Sequence, residues 1–353
     1  MKRKIMKKLP RITTITESFA SHQALVTSAC SLISGATGFM GSRLAEALTG
    51  HGLRVRALAR TTSDLTRLSR LGVEIAIGDV NDQWSLERAV EGQQVVFHTA
   101  GKVTDWGNAD EFMRVNRDGT ANVIAACQRM GVKHLVHISS LTVLGLPRDG
   151  RRVDEKSPYV TAPSDPYTQS KIAAEKLAQA AHGQRGLLTT VIRPGAIWGA
   201  GDALFVPRIV ALMRRGRMPC LGRGKNLIGL SHVDNLVQGC MLAIEKPACA
   251  GQIYHITDGE PITLRQALDA IADAHQVARP GFSLPVWILR LAAAWAELAA
   301  RRHVGTQAPV MTRYGVRMLA SHCHYDISKA RRELGYEPRV TFSQGVTTLK
   351  EHK

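Results

Sequence analysis

Tyr167 and Lys171 stand four residues apart in DPYTQSKIAAEKLA, a segment whose periodicity favours a helix, so the phenol and the ammonium share one helical face. A free phenol ionises near pH ~10, too high for a base at neutral pH, and an ammonium beside it favours the phenolate and lowers that value. The pair makes tyrosine an acid or a base. Ser139 and Ser140 end the apolar run in HLVHISSLTVLG, where short hydroxyls emerge at the carboxyl edge of a sheet. Hydride transfer to a carbonyl leaves an alkoxide, and a positioned acid together with a second donor stabilises that charge.

Three glycines raise a second possibility. In SLISGATGFMGSRLAEAL, Gly35, Gly38 and Gly41 recur at two-residue gaps between an apolar run and an alanine- and leucine-rich segment. Residues without a Cβ let another backbone or a ligand come close, and a helix end supplies an anion site. The spacing is GxxGxxG where the usual dinucleotide fingerprint is GxGxxG, so a phosphate cradle and a packing turn both remain open on these residues alone. The segment GDV puts Asp79 after another strand, either near a bound adenine or in an ordinary turn. HTAGKVTDWG followed by FMRVNRDGTANV sets a glycine-containing loop and Asn116, at a helix start, beside the fourth strand.

These residues need a scaffold that brings strand ends together. From residue 31 to about 193 short apolar runs, LRVRAL, VEIAIG, QVVFHTA, KHLVHIS and LLTTVIR after the first, alternate with helical patterns such as RVNRDGTANVIAACQRM. The alternation predicts an α/β fold with a doubly wound parallel sheet, a Rossmann domain over 25–200 to which 231–258 returns. After Pro194 the pattern breaks into PGAIWGAGD and RRGRMPCLGRGK, so 201–230 and 259–353 are expected to form a smaller substrate-binding region.

The chain has 353 residues, 44% of them hydrophobic, enough for one large core or two joined ones. Six scattered cysteines without a CxxC pair read as reduced thiols of a cytoplasmic enzyme, and no metal-ligand spacing is present. The net charge of +17 is concentrated: MKRKIMKKLPR holds six bases and no acid, as does Arg208 to Lys225. Residues 1–24 lack the apolar region of a secretory signal and read as a disordered tail, an overextended start or a membrane-surface contact. No base-stacking motif accompanies either block, which argues against nucleic acid as a partner. No transmembrane span is expected.

The motifs GATGFMG, GDV, FHTAGKV, VNRDGTANV, HISSLTVLG, YTQSK, IRPGAIWGAGD, SHVDNL and YDISKARRELGYEPRV, in this order, resemble the extended short-chain dehydrogenase/reductase family. Within it, the chain resembles 3β-hydroxysteroid dehydrogenase-like and epimerase/dehydratase-like members. Ser34, Gly101 and Leu144 depart from the commoner threonine, alanine and tyrosine, and none touches the Tyr-Lys pair. The resemblance implies Tyr167 as proton donor or acceptor, Lys171 as the residue that tunes it and contacts a nicotinamide ribose, and Ser140 as the hydrogen-bonding partner of the reacting oxygen. It implies a dinucleotide cradle of Gly35, Thr37, Gly38, Phe39, Met40 and Gly41. Asp79 and Val80, then Thr99, Ala100 and Lys102, and finally Asn116 and Pro194, complete the implied cofactor site. Family members are often dimers, and a homodimer is the expected assembly.

The end of the second strand, ALARTTSD, has Arg60 in place of the acid that holds a ribose without a 2′-phosphate, which favours NADP over NAD. The expected activity is interconversion of a secondary alcohol and a ketone on an apolar, steroid-like or β-keto acyl substrate. A nucleotide-sugar epimerase or dehydratase is the alternative, kept open by Arg208, Arg214, Arg215, Arg217 and Arg223, and a non-catalytic cofactor sensor is a further one. Thr142, Trp287 and Trp295 are candidate substrate residues. In PVWILRLAAAWAELAARRH, Trp287, Ile288, Leu291, Trp295 and Leu298 form one apolar helical face, belonging either to a core helix or to a lid that touches an apolar ligand or a membrane surface.

Overall fold

The computed structural model describes residues 30–246, 249–302 and 308–349. The basic N-terminal extension, 1–24, lies outside the described residues. Seven parallel strands form the central sheet: β1 (Cys30–Ser34), β2 (Arg54–Ala59), β3 (Glu74–Ile77), β4 (Val95–His98), β5 (His134–Ile138), β6 (Leu188–Pro194) and β7 (Ile253–Ile256). Their order is β7-β6-β5-β4-β1-β2-β3, with the reversal of direction between β1 and β4. A sheet wound this way opens a crevice at the carboxyl ends of the two central strands.

Central strands are almost wholly buried because helices cover both faces, with Ser31, Ser34, His98, His134 and His137 as buried polar exceptions to their apolar run. On one side α1 (Phe39–Gly50) and α5 (Val233–Glu245) join β1, β4 and β5 through Ile33, Leu44, Leu48, Phe97, Val136, Leu236 and Tyr254. On the other, α2 (Gly119–Met130) buries Val123, Ile124 and Cys127 against Leu32, Val96 and Leu135. The helix α3 (Pro166–Ala180) starts where Asp165 Oδ1 accepts from the Thr168 amide at 2.8 Å and proline fills the first turn, where its missing N–H costs nothing.

A second core is built beside the sheet from α4 (Phe205–Arg214), α6 (Leu264–Ala274), α7 (Val286–Arg302) and α8 (Arg313–Leu319). Val210, Met213, Leu268, Ile271, Leu289, Ala293 and Val316 meet there. Asp258 joins the two cores: its carboxylate accepts from Trp198 Nε1 at 2.8 Å, the His232 amide at 2.6 Å and Asn235 Nδ2 at 2.8 Å. Among the described residues, no helix is long and apolar enough to cross a membrane.

Candidate active site

The turn after β1 is shaped by what touches it. Gly35 has φ +75°, and a Cβ there would sit 2.7 Å from the Ala100 backbone, so the loops after β1 and β4 meet at the point where the sheet reverses. A side chain at Gly41 would collide with the Gly35 carbonyl. The Gly38 amide donates to the Gly35 carbonyl at 3.0 Å, which closes the turn into α1. Thr37 is exposed at its tip, whereas Met40 is buried and Phe39 partly so. Thr99 Oγ1 donates to the Ser34 carbonyl at 2.7 Å and ties the two loops together.

Arg60 is exposed at the end of β2, and its side chain has no partner among the described residues. Asp79 spends its carboxylate on Asn81, accepting from the amide at 2.8 Å and from Nδ2 at 2.9 Å, and Val80 is buried beside Gly119. Asn116 lies within a π-helical segment, Met113–Asp118, rather than at a helix start. The wider turn turns its amide inward, where Oδ1 accepts from the Lys102 amide at 2.7 Å and Nδ2 donates to the Lys102 carbonyl at 3.1 Å and to Ser170 Oγ at 2.8 Å. Lys102 itself pairs with Glu111 at 2.9 Å. Pro194 closes β6.

Ser140 caps the turn Leu141–Leu144 that follows β5, and Thr142 Oγ1 donates to its hydroxyl at 3.0 Å. The Ser140 hydroxyl lies close enough to the Tyr167 phenol to favour its ionised form. The structure therefore brings Ser140, Thr142, Tyr167 and Lys171 together. Burial pushes the Tyr167 phenol up to about 12, against the pull of Ser140. The phenol is thus moved upward by burial rather than downward as expected from Lys171, whose ammonium donates to the Ile138 carbonyl at 2.5 Å and is itself pushed down to about 8 by burial. Around the phenol stand two rings, Phe112 at 6.4 Å and Tyr314 at 5.9 Å, both edge-on.

Two neighbours escape the sequence reading. Glu175, fully buried one turn beyond Lys171, accepts from Tyr159 at 2.8 Å, from Ser139, and from Arg193 at 2.5 Å. Its signal was its place four residues after Lys171 on the buried face, with Arg193 as a charge closing an apolar strand. Tyr314 gave no local signal. It arrives on α8, held by Arg317 against Asp165 and by Thr312 Oγ1 donating to Asp105 at 2.6 Å. Trp287 and Trp295 are not brought to this cluster; they are 64% and 71% exposed on the outward face of α7.

Below the site, His98 shares hydrogen bonds with Ser34 Oγ at 2.7 Å and Thr120 Oγ1 at 2.9 Å, and burial pushes it down to about 3. It is neutral at physiological pH. No cluster fit to hold a metal occurs among the described residues. His322 Nδ1 accepts from the Leu227 amide at 2.9 Å.

Comparison with known proteins follows the same lines. The model of the 3-beta hydroxysteroid dehydrogenase/isomerase family matches residues 32–286. A 4-hydroxy-2-methyl-3-oxo-4-farnesyl-3,4-dihydroquinoline-1-oxide ketoreductase of Stigmatella aurantiaca is 33% identical over 90% of this chain and 95% of its own. A 2-alkyl-3-oxoalkanoate reductase of Shewanella oneidensis is 31% identical over 90% of this chain and 84% of its own. The crystal structure of gox2253 superposes with a TM-score of 0.74 at 30% identity, covering 91% of this chain and 96% of that one.

Proposed function

The chain belongs to the 3-beta hydroxysteroid dehydrogenase/isomerase family, and from that premise we propose that it reduces a ketone on an apolar substrate, or oxidises the matching alcohol, with Tyr167 as the proton-transferring residue. The observation that carries this reading is the buried Tyr167 phenol, set beside Ser140 and ringed by Phe112 and Tyr314. Burial keeps that phenol protonated at neutral pH, the form in which it can give a proton to a developing alkoxide. Ser140 is the second donor to the same oxygen. The aromatic edges exclude water and suit a hydrocarbon substrate better than a sugar.

The residues present fit a nicotinamide dinucleotide. Gly35 and Gly41 let the turn pack tightly against the Ala100 backbone and the Gly35 carbonyl, and it leads into α1, whose N-terminus has no side-chain cap and is where a pyrophosphate would be held. The unpartnered Arg60 at the end of β2 suits a 2′-phosphate, so NADP is the preferred form. Lys171, within the same site, would hold the nicotinamide ribose hydroxyls. When bound, the dinucleotide supplies the hydride equivalent, which no side chain here can provide.

The nucleotide-sugar alternative loses support from its own arginines. Arg208 is engaged by Asp105 at 2.7 Å and by the carbonyls of Pro309 and Val310, while Arg214, Arg215, Arg217 and Arg223 are exposed to solvent. Replacing Tyr167 by Phe removes one hydroxyl, so the variant is expected to keep its fold and cofactor affinity and to lose about 10²–10⁴-fold in turnover of a hydrophobic β-keto substrate. Nicotinamide absorbance follows the reaction. Undiminished turnover would remove Tyr167 from the chemistry.

A further inference from the structure

The apolar stripe of α7 faces outward. Trp287, Leu291, Trp295 and Leu298 are 64%, 56%, 71% and 42% exposed, and their steps of three and four residues make one continuous helical face. Its opposite face is the anchored one: Leu289 and Ala293 enter the second core, and Glu297 accepts from the Arg313 amide at 2.6 Å and from Arg313 Nε at 2.7 Å. Phe282 is also exposed, four residues before the helix begins. Single exposed apolar residues are ordinary, but two indoles and two leucines in one row form a surface built to be covered.

Charge identifies the cover. Arg290 and Arg301 border the stripe and Arg302 ends it, all exposed, while the helix's acid, Glu297, is buried against Arg313. A second basic group, Arg214, Arg215 and Arg217, leads into Cys220, whose amide donates to the Phe282 carbonyl at 2.9 Å. A second copy docked on this face about a two-fold axis would set arginines against arginines. An acidic peptide would leave the indoles unused. An anionic bilayer satisfies both features, with indoles at headgroup depth and guanidinium groups on lipid phosphates. The helix is also linked to the loop that anchors α8: the Arg301 guanidinium lies 5.7 Å over the ring of Trp106, whose neighbour Asp105 accepts from Thr312 at the start of α8.

We propose that α7 docks this enzyme on an anionic lipid surface, seating Trp287, Leu291, Trp295 and Leu298 at the boundary between headgroups and acyl chains. The docking stands on the helix face and its charges, independently of the reaction assigned to Tyr167.

Sedimentation with vesicles of equimolar phosphatidylglycerol and phosphatidylcholine tests it, with pure phosphatidylcholine as the comparison and lipids brominated on the acyl chain as the depth probe. The full chain is expected to sediment with the anionic vesicles, to be released by salt, and to show bromine quenching of tryptophan emission. Trp287→Ser with Trp295→Ser should weaken partition about tenfold or more and abolish the quenching. Arg290→Glu with Arg302→Glu, which leaves the apolar row intact, should weaken it comparably while the thermal midpoint holds. Equal binding to neutral vesicles overturns the proposal, as does binding that persists in both variants without quenching, which would place attachment on another basic segment. Absence of vesicle binding together with a dimer that the tryptophan variant dissociates would assign the face to a second copy.

Discussion

At Tyr167 the local spacing did most of the work. Tyr167 and Lys171 are one helical turn apart, and a motif confined to one helix is readable without knowledge of the rest of the chain. What the spacing did not convey is the electrostatic setting, because burial is a property of the whole packed structure. The phenol is raised and the ammonium lowered, each by desolvation. Glu175 opposes the lowering of Lys171, so it acts on the site through another residue and is a positioning residue. Replacing Glu175 by Gln should let the Lys171 ammonium lose its proton at lower pH. A lysine below its folded pKa carries the charge that would hold the ribose, so cofactor KM is expected to rise as pH passes about 8 in the parent chain, and to rise earlier in the variant. The same exchange leaves Arg193 buried without its counter-charge, a loss of about 3–5 kcal/mol that thermal unfolding would register. A purely structural role for Glu175 would lower the midpoint without moving the pH profile.

At the scale of elements, the six strands through Pro194 and the helices between them were legible from alternating apolar runs, because a parallel sheet covered on both faces demands them. The segment holding Asn116 read as a plain helix; its π-turn is a response to the Lys102 loop and Ser170, contacts that lie far away in the chain. The stripe on α7 shows the limit of periodicity. Its period identified a face, but periodicity is blind to which side of a helix meets protein, and here Leu289 and Ala293 face inward while the tryptophans face out. The short helix α8 was invisible as a functional element, since only tertiary contacts place Tyr314 against Tyr167. Under the function proposed for Tyr167, those contacts would make it a wall of the substrate site. Tyr314→Ala is expected to raise KM for a hydrophobic ketone by about tenfold, the worth of one lost aromatic contact, while the dissociation constant of NADPH stays within about twofold. Steady-state kinetics and cofactor titration separate the two. An equal loss in both would place Tyr314 at the cofactor rather than the substrate.

At the scale of the whole molecule, a polar hub ties the two cores to each other. Trp198 belongs to the second core, and Val233 and Leu236 beside His232 and Asn235 belong to the sheet's core, yet all three donors converge on Asp258 just beyond β7. Asn235 extends the hub, donating to the Val340 carbonyl at 2.8 Å and accepting from the Val340 amide at 2.9 Å. The edge strand β7 is itself supplied from beyond residue 250, so neither core is complete without the later part of the chain. Such an arrangement predicts one cooperative unfolding transition. Asp258→Ala strands three buried donors, each costing about 1–3 kcal/mol when left unpaired, although water entering the gap would recover part of that. In urea, far-UV circular dichroism of the sheet and tryptophan emission, with Trp198 at the hub, are expected to shift to lower denaturant together. Asp258→Asn keeps one acceptor and should fall between parent and alanine variant. If emission moves while the dichroism of the sheet does not, the two cores unfold separately, and the Tyr167 site, built by α3 from one and α8 from the other, would then be the first feature to come apart.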